Sequence, residues 1–480
     1  MNIGIVIYII GWILEFEAAF LLLPALTGLV YREPQAAVIY FATAICCFLL
    51  GFLLKRKHPS KKDLSTREGF TCVALGWTIM SLFGAVPFVL TGEIPHYVDA
   101  VFETISGFTT TGASILTDVE TLTHASLFWR SFTHWIGGMG VFVFMMAVLP
   151  LMGGSAMNLM RAESPGPSVE KLVPKVRNTA KILYQLYFGI TAAGILSLLL
   201  CGMPLFDSLL TTFGAVGTGG FGFKNDGMAS YSPLIQNVTT LLMILSGINY
   251  TVYFLLLRRH FKEVLTMEEL RWYLLIILAG AGLIIIDIRG LYPSLEESVR
   301  HAFFQVGSII TTTGYSTTDF NAWPQLSKTI LLVLMFIGAC AGSTAGGIKV
   351  SRLIILCKAI RRELSMIIHP RMVKKIRMDG RVISHETMRS TNVFISVYFV
   401  IFFLSLLLVA LDEFDFTTNF SAVAATLNNI GPGLELVGPT QNFSLYSPFA
   451  KCVLIFDMLA GRLELFPVLV VLMPSCWKKY

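Results

Sequence analysis

The chain has 480 residues, of which 55% are hydrophobic and only 14% charged. A soluble domain carries about a quarter charged residues, so this composition excludes one and indicates a polytopic membrane protein. The net charge of +6 would suit a nucleic-acid partner, but 26 of the 36 Lys and Arg residues fall in five segments: 55–67, 161–181, 258–271, 358–389 and the C-terminus. These alternate with loops almost free of Lys and Arg. This is the positive-inside pattern, and it puts the five segments and both termini on the cytoplasmic side.

Two spans come first, 3–30 and 36–54, as an N-terminal pair within 1–66. The first has neither a basic leader nor a small-residue cleavage site, so it reads as a retained helix. Glu15 and Glu17 lie mid-span, where an ionised carboxylate is expensive. They are either protonated or hydrogen-bonded to neighbouring helices, or they handle ions directly. The eight cysteines lie in or beside apolar spans, and none forms a paired metal motif or an expected disulfide.

A pattern then repeats four times, over 67–152, 178–257, 271–359 and 388–480. A span precedes a short apolar piece, a glycine motif and a second span. The short pieces, 97–109, 206–215, 296–310 and 416–427, hold about a dozen residues, well under the twenty or so a helix needs to cross. They enter and return on one side. Together with the charge parity this predicts an all-α fold of ten crossings, with four helix–pore loop–helix repeats around a central pore.

The motifs are Thr109-Thr110-Thr111-Gly112-Ala113, Val216-Gly217-Thr218-Gly219-Gly220, Thr311-Thr312-Thr313-Gly314-Tyr315 and Asn428-Asn429-Ile430-Gly431-Pro432. Aligned on Gly112, Gly219, Gly314 and Gly431, they recur about every hundred residues. A polar, glycine-bearing strand cannot face lipid and is tolerated at membrane depth only when buried or lining an aqueous path. Four of them suggest one ring of backbone carbonyls, with glycine permitting the unusual geometry. The partly negative C-terminal ends of four short helices would converge there on a cation. No acid lies within the motifs, so carbonyls and Thr hydroxyls are the available ligands. That suits K+ better than a divalent ion, which recruits carboxylates.

Acids in the outer loops (Asp99, Asp118, Glu120, Asp207, Asp226, Glu296, Glu297, Asp319 and Glu435) are either ordinary solvated charges or an electronegative mouth that concentrates cations.

These motifs resemble the four degenerate filters of the TrkH/KtrB superfamily of potassium uptake proteins. Gly342-Ser343-Thr344-Ala345-Gly346-Gly347-Ile348-Lys349 and Gly461-Arg462-Leu463-Glu464 add to the resemblance. It covers about 69–473, and the extra N-terminal pair points to the TrkH branch. Carried over residue by residue, it implies a K+ filter of Thr110, Thr111, Gly112 and Ala113; Gly217, Thr218, Gly219 and Gly220; Thr312, Thr313, Gly314 and Tyr315; and Asn429, Ile430, Gly431 and Pro432. Pro432 makes the fourth strand the least channel-like. The resemblance further implies a bacterial inner-membrane homodimer with one pore per subunit, working with a cytosolic TrkA-type nucleotide-binding ring.

The 33-residue apolar run from 326 is too long for one straight helix and is broken at 338–347 by glycines and small residues. Either small residues pack helices closely there, or the break is a loop below the filter that blocks or clears the path. The gate would then comprise Gly342, Ser343, Thr344, Ala345, Gly346 and Gly347 with Lys349 and Arg462. Lys349 and Arg352, one turn apart, would anchor its inner half near the cytoplasm. Arg462 is either ion-paired to Asp457 or Glu464 or faces the pore. Those two acids are seven apart and share a face, while Arg462 points away from both, which favours the pore.

His134 reads as a satisfied packing residue, and Asn249 and Tyr250 as interhelical hydrogen-bonders late in a span. The basic 358–389 segment is either a lipid-facing loop or the docking surface for a regulatory partner. Nothing in the sequence resembles an enzyme site. The alternatives to a potassium pore are a sodium-coupled KtrB-like transporter and a secondary transporter with broken helices, and the absence of acids in the motifs disfavours the latter.

Overall fold

The computed structural model describes residues 1–56, 65–148, 176–371 and 375–478. The basic stretches at 57–64 and 161–175, the end of the first repeat at 149–152, and 372–374 lie outside the described residues.

Helices α1 (Ile3–Val30) and α2 (Pro34–Lys55) pack antiparallel through small residues. A side chain on Gly51 would stand 2.6 Å from the Gly11 carbonyl oxygen, so both glycines allow close backbone approach. Glu15 is paired with Lys55, whose ammonium lies 3.5 Å from the Trp12 ring centroid. Glu17 is fully buried, and its two oxygens accept no hydrogen bond among the described residues. Helix α3 (Thr66–Gly84) opens on a capping box between Ser65 and Glu68 and runs on through α4 (Val86–Leu90).

The four short pieces are α5 (Tyr97–Phe108), α8 (Leu205–Gly217), α13 (Leu295–Ile310) and α17 (Phe416–Leu427). At 12 to 16 residues they reach about 18–24 Å, short of a hydrocarbon core about 30 Å thick. Ser294 and Asp415 cap two of them through backbone N–H groups, and Asp99, Asp207 and Glu296 sit at their positive ends. Residues 100–108, 210–217, 304–310 and 421–427 are buried on every face. These four helix ends are therefore the centre of the molecule.

Around them stand α6 (His124–Val148), α7 (Val176–Leu200), α12 (Glu268–Ile288) and α16 (His385–Val409). The second helix of repeat 3 is split as expected, into α14 (Gln325–Ile337) and α15 (Val350–Ile368). The second helices of repeats 2 and 4, read as single spans from sequence, are split as well. α9 (Pro233–Ser246) and α10 (Tyr250–Leu257) meet at 93°. There Asn249 accepts from Thr251 N at 2.8 Å and so caps a new helix instead of bonding across helices. α18 (Pro448–Arg462) gives way to α19 (Phe466–Leu472) through Glu464 and Leu465, both at positive φ.

Among the described residues six helices are long and apolar enough to cross alone, or seven if α9 and α10 count together. The other expected crossings fall on α6, which ends at the edge of the described residues, and on the two remaining split helices. On the basic side Arg377–Met378 and Arg381–Val382 pair as an antiparallel hairpin. Its Asp379-Gly380 turn has both φ values positive, as a two-residue hairpin requires.

Candidate ion filter and intramembrane loop

Each of the four central helices ends in the same way. The amides of Thr111, Gly219, Thr313 and Ile430 each donate to a carbonyl five residues back (Ser106, Gly214, Ser308 and Ala425), all at 2.8 Å. The residue before each amide is left-handed: Thr110, Thr218, Thr312 and Asn429 have φ of 55°, 56°, 54° and 55°. This is the cap that usually takes glycine. Three β-branched threonines in that region are outliers and mark strain held by the surroundings.

The next left-handed positions are Gly112, Gly220, Gly314 and Gly431. A Cβ there would overlap the carbonyl oxygens of Gly219, Thr313 and Ile430, for the first three, and would stand 2.8 Å from that of Thr111 for Gly431. Each strand's glycine thus abuts the next strand's carbonyl in chain order, and the fourth returns to the first. The four strands close a ring.

The ring corrects the alignment of the second motif. Gly220, and not Gly219, is the counterpart of Gly112, so the matching stretch is Thr218 to Phe221, and Gly217 is the last residue of its helix. Two adjacent glycines leave the register open in sequence, and backbone φ decides it. Gly219 is glycine for another reason: its Cβ would strike the His134 ring. His134 is satisfied on both sides, with Nδ1 2.8 Å from the Gly107 carbonyl and Nε2 accepting from Phe221 N at 3.1 Å.

The threonine hydroxyls are largely engaged away from an ion. Thr109 with Thr111, and Thr311 with Thr313, pair at 2.8 Å. Thr312 accepts from Gly346 N at 2.7 Å, and Thr110 accepts from Arg462 at 3.3 Å. In the fourth strand Asn429 Nδ2 donates to Thr111 Oγ1 and to the Met458 carbonyl, both at 2.9 Å. Backbone carbonyls are left as the principal oxygens of the ring.

The loop 338–349 runs against the inner side of these strands. Gly338, Gly342, Gly347 and Lys349 have positive φ, and residues 339–341 and 343–345 are buried. Cys340 N donates to the Gly247 carbonyl at 3.1 Å, and the Gly342 carbonyl accepts from Tyr250 N at 3.2 Å, so the loop hangs on the break between α9 and α10. Thr344 donates to the Val216 carbonyl at the end of α8. Glu269, which the sequence did not single out, grips both ends: its Oε1 accepts from Ala341 N at 2.7 Å and Ser351 N at 3.2 Å.

Lys349 does not anchor the inner half near the cytoplasm as expected. With φ +82° it precedes α15, is buried, and turns its ammonium back onto the Ala345 carbonyl. Arg352 pairs with Glu464 and stacks 3.9 Å over Phe394. Asp457 accepts from Ser405 at 2.6 Å. Neither expected acid therefore takes Arg462. Its Nη1 donates to the Thr344 carbonyl at 2.7 Å and to Thr110, and its Nη2 donates to the Gly137 carbonyl. One side chain links strand, loop and α6.

Several of the acids expected at an outer mouth are engaged by neighbouring groups. Asp99 pairs with Lys451 at 2.6 Å, Glu296 with Arg300 at 2.9 Å and Glu435 with Lys328 at 3.6 Å. Asp118 and Glu120 hold Asn225, joining repeats 1 and 2.

The family model described as a cation transport protein, TrkH, matches residues 36–479. The Trk system potassium uptake protein TrkH of Salmonella typhimurium is 36% identical over 488 residues, covering all of both chains. TrkG of Escherichia coli K12 is 33% identical, covering 99% of each. The crystal structure of the potassium transporter TrkH from Vibrio parahaemolyticus superposes with a TM-score of 0.88 at 33% identity over the full length of both chains. With four glycine strands closing one ring and this match along nearly its whole length, the chain belongs to the TrkH family of cation transport proteins.

Proposed function

We propose that this chain is the ion-conducting subunit of a potassium uptake system, carrying K+ inward through the four-strand ring, with loop 338–349 and Arg462 as the gate. The observation that carries this reading is the closure of the ring in chain order, with a positively charged side chain and a buried loop against its inner side. A dehydrated alkali cation needs a cage of oxygens, and a ring of carbonyls free of acids suits a weakly hydrated monovalent ion. K+ is thus the transported ion and not a resident cofactor. The permeating residues are Thr110 to Ala113, Thr218 to Phe221, Thr312 to Tyr315 and Asn429 to Pro432.

The chain works as a homodimer in the bacterial inner membrane, with both termini cytoplasmic. A cytosolic nucleotide-binding ring of the TrkA type docks on the basic 358–389 segment. Support for a path from that surface to the gate comes from the hairpin turn. Asp379 accepts from Glu268 N at 2.7 Å, and the next residue, Glu269, holds both ends of the loop. Rb+ uptake into proteoliposomes, with Na+ and pH gradients imposed in turn, tests the reading. Rb+ uptake driven by its own gradient supports it, and equal uptake of Na+ overturns it.

A further inference from the structure

A buried ion pair stands behind the outer half of the first two strands, and neither the ring nor the gate accounts for it. Glu103 lies in α5, nine residues before Gly112, and Arg130 lies in α6. Their side chains are 0% and 2% exposed. Arg130 Nε and Nη2 reach Glu103 Oε1 at 2.8 and 2.7 Å. Arg130 Nη1 donates to the Gly222 carbonyl at 2.9 Å, and Nη2 reaches Ser114 Oγ at 3.4 Å. Ser114 and Gly222 are equivalent positions, each two residues past its ring glycine. Glu103 also accepts from Ser114 Oγ at 3.0 Å and from Ile115 N at 3.0 Å. The guanidinium lies 4.2 Å over the ring of Phe221. One charge-assisted fork thus grips two neighbouring strands at the same level.

The other repeats show what this position can hold. Nine residues before Gly220, Gly314 and Gly431 stand Thr211, Gln305 and Ala422. Gln305 donates to Ser316, the counterpart of Ser114, at 3.1 Å, which is a neutral version of the same tie. Thr211's hydroxyl bonds nothing among the described residues. The ionic tie belongs to the first strand, and it reaches the second.

We propose that Glu103 and Arg130 are positioning residues for ion selection, setting the spacing of strands 1 and 2 so that their carbonyls cannot draw in around the smaller Na+. The proposal rests on reading the ring as a K+ filter. A planar guanidinium with its fork of donors fixes two acceptors in a way that a single ammonium cannot, and burial removes the competing water.

The test uses the full-length chain in proteoliposomes, with Rb+ and Na+ uptake measured side by side. The double variant Glu103→Gln/Arg130→Met removes both charges at similar volume and leaves no unpaired buried charge. Arg130→Lys keeps the charge and loses the fork. Both variants should purify as folded, Rb+-conducting protein with the Rb+/Na+ ratio lowered about tenfold to a hundredfold, the size of one lost charge-assisted hydrogen bond. An unaltered ratio in a folded variant overturns the proposal. Loss of fold in both variants also overturns it, because the pair would then serve the fold and not selection. An unmodified chain without Rb+ uptake overturns the filter reading, and this proposal with it, so the two failures are distinguishable.

Discussion

The corrected register of the second strand separates two adjacent glycines by what each one touches. A side chain on Gly220 meets the Thr313 carbonyl of the next strand, whereas one on Gly219 meets the His134 ring. Gly220→Ser should therefore act like Gly112→Ser and Gly314→Ser, lowering the K+/Na+ ratio by about tenfold or more, since strand and carbonyl must both shift. Gly219→Ala should chiefly cost stability, seen as a lower melting temperature with a smaller fall in the ion ratio than Gly220→Ser gives. If Gly219→Ala relaxed selectivity and Gly220→Ser did not, the register would be wrong. The same scale explains what sequence could not decide: Gly219-Gly220 satisfies either alignment, and only φ and the neighbouring His134 distinguish them. By contrast, the Thr-Thr-Thr-Gly motifs of strands 1 and 3 were legible, and so was Arg462's turn away from Asp457, because spacing on a helix fixes direction.

At the scale of elements, the molecule is built from interrupted helices whose breaks meet beneath the ring. The break in repeat 3 was legible from its run of glycines. The breaks after Ser246 and Arg462 were not, because the first holds one glycine, Gly247, and the second none, Gly461 lying inside α18. Asn249, a good N-cap residue within an apolar run, was the available signal for the first. Glu269 was hidden because its role is to accept from two backbone amides distant in sequence. Deleting 342–347 should raise flux in the absence of a cytosolic partner, and a closed or unaltered pore would reject the gate. Arg462→Ala should raise it too. A fixed charge about 8 Å from a passing cation, at an effective dielectric near 20, opposes it by about 2 kcal/mol, worth about thirtyfold in rate. Purified Arg462→Ala protein that aggregates would instead assign the residue to the fold. Glu269→Ala, which frees both ends of the loop, should show higher basal flux than Glu269→Gln, whose amide oxygen keeps the acceptor.

Across the whole molecule the repeats are tied in a twofold pattern laid over the fourfold ring. The Ser114 carbonyl in repeat 1 accepts from Phe443 N in repeat 4, and the Ser316 carbonyl in repeat 3 accepts from Met228 N in repeat 2, both at 2.8 Å. Asn321 and Glu435 join repeats 3 and 4 as Asp118 and Asn225 join 1 and 2. The hydrogen bond from Asn225, helped by Glu120 N, holds the Asp118 carboxyl below the usual carboxylate range. With its folded value depressed, that clasp is present above the ordinary carboxylate range and lost only as pH falls through the lower value. Flux should therefore not change through Asp118 between pH of about 7 and about 5. A loss of flux over that interval that Asp118→Asn abolishes would contradict this.

Four unequal strands close one ring, proposed here as the K+ selector. Its most direct test is side-by-side uptake of Rb+ and Na+ by proteoliposomes holding the purified, unmodified chain, with Gly314→Ser as the comparison. The unmodified chain should take up Rb+ with Na+ largely excluded, and should admit Na+ once Gly314 carries a side chain. Equal uptake of the two ions by the unmodified chain, or an unchanged ratio in the variant, would contradict it.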